Sequence, residues 1–268
     1  MSAQTRSQVT ELLARHGVTP SRRLGQNFLV DANITRRIVS EAGVGPGDKV
    51  LEIGAGTGTL TRALAATGAH VTVIEVDKRM RPILEEVTEG LDVNVVIDDA
   101  TKLDLATTFH DGPWHLVANL PYNVGTRLIM DVLRQVPSIT RLVVMVQTEV
   151  ADRLVAGPGD PAYGLPSVVV GIHGKARIAF RVPPQVFYPA PKVESSVVVI
   201  ERGPAPEGAD RALEFARAGF SKRRKMLRAS LSGIVPDPGS LLTDAGFDPT
   251  LRAENLSPED YLRLGGVG

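Results

Sequence analysis

Val50-Leu51-Glu52-Ile53-Gly54-Ala55-Gly56-Thr57-Gly58 is the stretch that decides the fold. Its first four residues are a short apolar run around one carboxylate, the pattern of a buried strand. The glycines that follow let the backbone turn sharply and approach a ligand closely. A helical pattern near 58–67 comes next. The unit then repeats. Val71–Ile74 is a second strand, with a helix near 79–89, and Val93–Ile97 is a third. Trp114–Ala118 is a fourth, with a helix near 125–135, and Leu142–Val146 is a fifth, with a helix through Glu149 and Leu154. Continuous apolar strands alternating with helices predict a parallel, doubly wound sheet.

The pattern changes after residue 174. Lys175–Val182 and Val193–Glu201 read as strands joined by a proline-rich loop too short for a crossover helix, so the pair is expected to be antiparallel. A mostly parallel sheet ending in such a hairpin is the class I methyltransferase architecture, a Rossmann-like α/β fold of seven strands. GPAPEGAD at 203–210 is a linker by composition. Helical patterns follow at 210–219, 221–232, 238–245 and 257–264, with Met226, Leu227 and Leu231 at core spacing in the second. The expected division is a catalytic domain over 1–202, with a basic N-terminal arm, and a small all-α domain over 203–268.

Composition narrows the chemistry. The 268 residues contain no cysteine, which excludes a disulfide, a thiolate nucleophile and a cysteine-type zinc site. The five histidines show no ligand spacing and read as structural or surface groups, so no metal is expected. The opening MSAQTRSQVTELLARHG lacks the apolar core of a signal peptide, and no run approaches the ~20 apolar residues of a membrane span. A cytoplasmic protein with no membrane association is expected. Net charge is zero but unevenly placed. Residues 1–37 carry six Arg against two acids, and residues 211–233 carry seven bases against Glu214 alone. Two basic segments are a candidate phosphate-binding footprint; otherwise such runs are solvated helix faces.

Successive strand ends carry the candidate site, since open α/β sheets bind ligands at the carboxyl edge. Glu75, 21 residues after Gly54, ends the second strand and is placed to accept hydrogen bonds from both hydroxyls of a ribose. Asp98-Asp99 ends the third, where a carboxylate can bond an adenine amine. The glycines follow GxGxG rather than the dinucleotide GxGxxG, with Thr59 at the third glycine position. This favours S-adenosylmethionine over a nicotinamide cofactor. Asn119-Leu120-Pro121-Tyr122 ends the fourth strand. It offers an amide, carbonyls beside a proline that cannot donate, and an aromatic face, the parts needed to hold a flat base by its exocyclic amine. Hydrogen bonds from that amine to Asn119 and to the Leu120 or Pro121 carbonyl would turn its lone pair toward an electrophile.

These segments resemble the small-subunit (16S) ribosomal RNA adenine N6-dimethyltransferases, the kasugamycin-sensitivity family. Leu24-Gly25-Gln26-Asn27-Phe28-Leu29, EIGAG at 52–56, Glu75, Asp99 and NLPY at 119–122 match in order. So do MVQTEVADRL (145–154), VPPQVFYPAPKVESSVV (182–198), GFSKRRKMLRASL (219–231) and RAENLSPEDY (252–261). Ala55 stands where many members have proline. The resemblance implies that Asn27 and Leu29 touch the methionine end of S-adenosylmethionine, Gly54 lines its pocket, Glu75 holds the ribose and Asp99 the adenine. It implies that Asn119 bridges cofactor and target amine, and that Tyr122 and Phe187 face each other across a flipped base. Lys222, Arg223, Arg224, Lys225 and Arg228 would then meet RNA phosphates. The implied substrate is a pair of adjacent adenines in a 3′-terminal hairpin loop of small-subunit rRNA, on the small ribosomal subunit or its assembly intermediate. A monomer is expected. Two rivals share the scaffold: the macrolide-resistance type, acting on large-subunit rRNA, and a non-catalytic ribosome-assembly factor. A nicotinamide-dependent oxidoreductase is a third reading, and it fails because the chain lacks the third glycine and an evident proton donor.

Overall fold

The computed structural model describes residues 4–222 and 224–267. Seven strands form the central sheet: β1 (Lys49–Ile53), β2 (His70–Glu75), β3 (Val93–Ile97), β4 (Trp114–Asn119), β5 (Ile139–Gln147), β6 (Gly174–Val182) and β7 (Ser195–Arg202). Their order is β3-β2-β1-β4-β5-β7-β6. Strands β1 to β5 pair in parallel, and β7 returns antiparallel to β5 with Gln147 opposite Ser195. This is the class I S-adenosylmethionine-dependent methyltransferase architecture, a mostly parallel Rossmann-like sheet with an antiparallel terminal hairpin. Strands β1, β2, β4, β5 and β7 are almost wholly buried. Burial on both faces is why their sequences are unbroken Val/Ile/Leu runs rather than alternating ones.

The helices are α1 (Arg6–Arg15), α2 (Ala32–Ala42), α3 (Thr59–Ala65), α4 (Arg81–Val87), α5 (Leu105–Thr108), α6 (Gly125–Gln135), α7 (Thr148–Val155), α8 (Leu165–His173), α9 (Ala209–Ser221), α10 (Leu227–Leu231), α11 (Pro238–Asp244) and α12 (Pro258–Val267). The first two lie outside the elements read from the sequence, yet both carry local start signals. Thr5 and Gln8 form a capping box on α1, and the Asp31 carboxylate accepts from the Asn33 and Ile34 amides to open α2. Helix α6 follows the NLPY quartet directly, because the Pro121 carbonyl accepts from the Val124 and Gly125 amides. At its far end the Arg202 guanidinium donates to the carbonyls of Val132, Leu133 and Val136. A cation there satisfies orphan carbonyls and opposes the negative end of the helix dipole.

The chain divides into two compact units, residues 1–151 with 177–202, and residues 152–176 with 203–268. A single cut after 202 therefore misses that the helical unit takes in 152–176. The physical reason is α8, LPSVVVGIH, which is apolar on nearly all sides and packs with α9 and α12. Lacking a polar face, it gives no amphipathic signal in the sequence. A second difference falls at 221–232. Instead of one helix, α9 ends at Ser221, a turn follows with the Lys225 amide on the Lys222 carbonyl, and α10 holds only Leu227–Leu231. Like charges repel within a helical turn, and Lys222, Arg224 and Lys225 stand here just past the negative end of α9. Met226, expected in the core, is 41% exposed and bridges to Arg252.

Candidate active site

Two adjoining cavities run along the carboxyl ends of β1, β2, β3 and β4. Leu24, Gly54, Val76 and Pro121 line both, so they form one continuous trench. One cavity holds Asn27, Leu29, Glu52, Glu75, Asn119 and Tyr122, and the other holds Asp98, Asp99 and Thr101. The sequence-derived positions Asn27, Leu29, Gly54, Glu75, Asp99, Asn119, Leu120, Pro121 and Tyr122 are thus brought together. Among the described residues no cluster of His, Asp and Glu could hold a metal, and no helix is long and apolar enough to cross a membrane.

The glycine loop is built for close approach. Gly54 and Gly56 have φ of 78° and 55°, backbone that side chains rarely adopt. A Cβ on Gly56 would lie 2.7 Å from the Phe28 ring, so only glycine lets that ring close over the loop. The Gly56 amide donates to Glu75 Oε2 and the Asp77 amide to Glu75 Oε1, both at 2.9 Å. Those bonds aim the carboxylate and leave each oxygen a further lone pair for a hydroxyl donor. Burial pushes the Glu75 carboxyl above its usual range, although the amides oppose the shift. Glu52 is fully buried at the floor of the same cavity. Burial, reinforced by the Glu75 charge, pushes it up to about 8, and among the described residues its Oε2 has no hydrogen-bond partner. Asp99 contrasts with both. The Thr101 hydroxyl and amide donate to its Oδ1 and hold it below the usual range, so it stays ionised.

The loop at 24–29 closes the trench from above. Gln26 donates to Asp77 Oδ2 at 2.9 Å and accepts from the Ser21 amide. Just before α1, buried Gln4 donates to the Thr57 carbonyl and accepts from the Thr59 hydroxyl at 2.7 Å. The next turn reaches the segment before β7, where Arg6 donates to the carbonyls of Gln185 and Phe187. Gln4, Gln26 and Asp77 did not stand out in the sequence. Each is a polar side chain serving the backbone or another side chain, and no spacing rule marks such a role.

In the quartet, the Asn119 Nδ2 donates to the Asn27 carbonyl at 3.2 Å. The amide is therefore oriented, and no described residue donates to its Oδ1. The Pro121 carbonyl is occupied by the start of α6, so of the two backbone acceptors expected for an amine only Leu120 remains. The Tyr122 hydroxyl lies 2.7 Å from Ser195 Oγ. Burial holds that phenol above its ordinary range and so neutral. Phe187 departs from expectation. It is 0% exposed, belongs to the hydrophobic core and does not line the trench. Phe187-Tyr188 pairs antiparallel with Phe28-Leu29, and this two-strand ladder turns the Phe187 ring inward. An aromatic sandwich between Tyr122 and Phe187 is not present in this conformation.

In the helical unit, Lys222, Arg224, Lys225 and Arg228 are all exposed, in the turn after α9 and on α10. Arg223, expected with them, lies outside the described residues.

Comparison with known proteins agrees with this geometry. The family model for ribosomal RNA adenine dimethylase matches residues 19–265. A ribosomal RNA small subunit methyltransferase A from Phenylobacterium zucineum is 44% identical over 98% of this chain and 93% of its own length. The protein of the same name from Novosphingobium aromaticivorans is 45% identical over 95% of each chain. Among solved structures, a dimethyladenosine transferase from Plasmodium falciparum superposes with a TM-score of 0.75 at 27% identity, covering 88% of this chain and 95% of that one. The 23S rRNA methyltransferase ErmE gives 0.69 at 28% identity, covering 90% and 99%.

Proposed function

The chain belongs to the ribosomal RNA adenine dimethylase family, and from that premise we propose that it transfers methyl groups from S-adenosylmethionine to N6 of two adjacent adenines in small-subunit rRNA. The site residues suit that cofactor. A carboxylate aimed by two amides at the end of β2 suits a ribose diol, and an ionised carboxylate at the end of β3 suits an adenine amine. The glycine loop brings backbone rather than side chain to the pocket wall, with the Phe28 ring closed over Gly56. Gly54, Glu75 and Asp99 would hold the adenosine half, and Asn27 and Leu29 the methionine end. Glu52 Oε2, buried without a partner, is available to a cationic group there. S-adenosylmethionine supplies a methyl group on a sulfonium, already strongly electrophilic, so no nucleophilic side chain is required.

The observation that carries the reading is the orientation of Asn119. With Nδ2 committed to the Asn27 carbonyl, Oδ1 is left to accept from the target NH2, and the Leu120 carbonyl is left to take its second hydrogen. Both bonds localise the nitrogen lone pair, which in adenine is otherwise delocalised into the ring. The chain thus acts by position and electrostatics. Once the methyl bond has formed, the surplus proton leaves to solvent. Tyr122 offers the stacking face, worth ~1–3 kcal/mol against the cost of taking a base out of its stack. The exposed bases Lys222, Arg224, Lys225 and Arg228 would position the RNA through its phosphates, with the helical unit as an RNA-binding domain. We place the reaction on two adenines of a 3′-terminal hairpin loop, in a cytoplasmic small subunit or its assembly intermediate, performed by a monomer. The names of the 44–45% identical relatives favour the small over the large subunit.

Methyl transfer from labelled S-adenosylmethionine to unmodified small subunits, with large subunits in parallel, tests this. Dimethyladenosine on small subunits alone is expected. Label on large subunits instead would move the substrate to the resistance type. Cofactor binding with no transfer to either would move the substrate to an assembly intermediate or another RNA, and no cofactor binding would favour the non-catalytic assembly factor.

A further inference from the structure

We propose that Ser195 is a positioning residue for methyl transfer, which fixes the Tyr122 ring as the platform for the target adenine through the hydrogen bond their hydroxyls share. The proposal rests on the function proposed above. Ser195 is 0% exposed, and its backbone is locked in the antiparallel ladder opposite Gln147. It opens a strand of otherwise apolar residues, SSVVVI, where a hydroxyl needs a partner. Neighbouring Ser196, on the other face of the strand, already shares a hydrogen bond with the Thr148 hydroxyl at 3.0 Å. Among the described residues the Ser195 hydroxyl meets Tyr122 alone, at 2.7 Å.

Tyr122 is thereby held at two points. Its backbone lies between the Pro121 carbonyl and the Val124 and Gly125 amides that this carbonyl accepts, the start of α6. Its phenol tip is fixed to β7, a strand far away in sequence. A ring held only at its Cα would rotate about its first two side-chain bonds. A ring also held at its oxygen keeps one plane. Because this conformation keeps Phe187 in the core and the Phe28 ring lies over the glycine loop, Tyr122 is the aromatic face beside Asn119, and the orientation of its ring sets that of a stacked base.

The test is steady-state transfer to unmodified small subunits by wild type, Ser195→Ala, Tyr122→Phe and the double variant, with cofactor affinity and melting temperature measured on each. Tyr122→Phe removes the same hydrogen bond from the more exposed side, so the test survives if Ser195→Ala folds poorly. Each single change is expected to lower turnover roughly threefold to tenfold, the worth of one net hydrogen bond, with cofactor affinity unchanged. The double variant is expected to be no worse than the poorer single, since both remove one shared bond. A purely structural serine would give additive losses and a parallel fall in cofactor affinity, and either result would overturn the proposal. Full activity in folded Ser195→Ala would overturn it too. Wild type that methylates neither subunit would instead sink the functional reading, and this proposal with it.

Discussion

Replacing Glu52 with glutamine should stabilise the folded chain at neutral pH, by an amount that grows with pH. An unfolded carboxyl releases its proton near 4.5, whereas the folded protein keeps this one up to about 8. Between those values the folded state holds one proton more than the unfolded state. Stability therefore falls as pH rises across the window, by about 1.4 kcal/mol per unit. At pH 7, roughly 2.5 units above the unfolded value, the carboxyl costs about 3 kcal/mol, which glutamine of the same shape does not. The penalty vanishes below about pH 4.5 and levels off above about pH 8. Urea unfolding of both proteins at several values from about pH 5 to about pH 8 reads the effect. Glu75, also raised by burial, leaves a slope in each curve, so the measured quantity is the difference between them. A flat difference, or a less stable variant at pH 7, would mean that Glu52 is already ionised in the folded state, and the reasoning would fail. The variant should also bind S-adenosylmethionine more weakly; stability gained with affinity lost is the pattern of a group retained for its site.

The remaining expectations are narrower. Gly56→Ala places a Cβ 2.7 Å from Phe28 at φ 55°, so cofactor affinity should fall at least tenfold in a titration, and unchanged affinity would show that the loop relaxes freely. Asn119→Ala should cut turnover about a hundredfold or more while RNA affinity stays nearly unchanged, and equal loss of both would contradict the amine-holding role. Neutralising Arg224 and Lys225 should weaken small-subunit binding and lower the log–log salt slope by about one for each phosphate no longer neutralised; an unchanged slope would leave these bases as solvated surface.

The sheet was legible because five of its strands are apolar runs almost wholly buried, and the site because its chemistry sits on strand ends. Glu75, Asp99 and Asn119 each follow such a run, and the glycine pattern announces the turn that needs them. What stayed hidden has a common cause. Helix α8 is apolar on nearly every side and so shows no period. Phe187 lies in a proline-rich loop that reads as open, but pairing with Leu29 turns its ring into the core. The occupied Pro121 carbonyl depends on where α6 starts, within one residue. The Ser195 bond joins residues 73 positions apart, and no local pattern encodes it.

The segment around Gln4 and Arg6 also has a temporal meaning. It is synthesised before every group that anchors it, the carbonyl of Thr57 and those of Gln185 and Phe187. Closing so long a loop costs chain entropy that only late-forming interactions offset. On a translating ribosome the cofactor loop can be gripped early, but the Arg6 bonds form only after residue 187 has emerged, and β7, with Ser195, follows directly behind it. A chain interrupted before that point would hold every strand end of the cofactor trench and still leave Arg6 without its anchors.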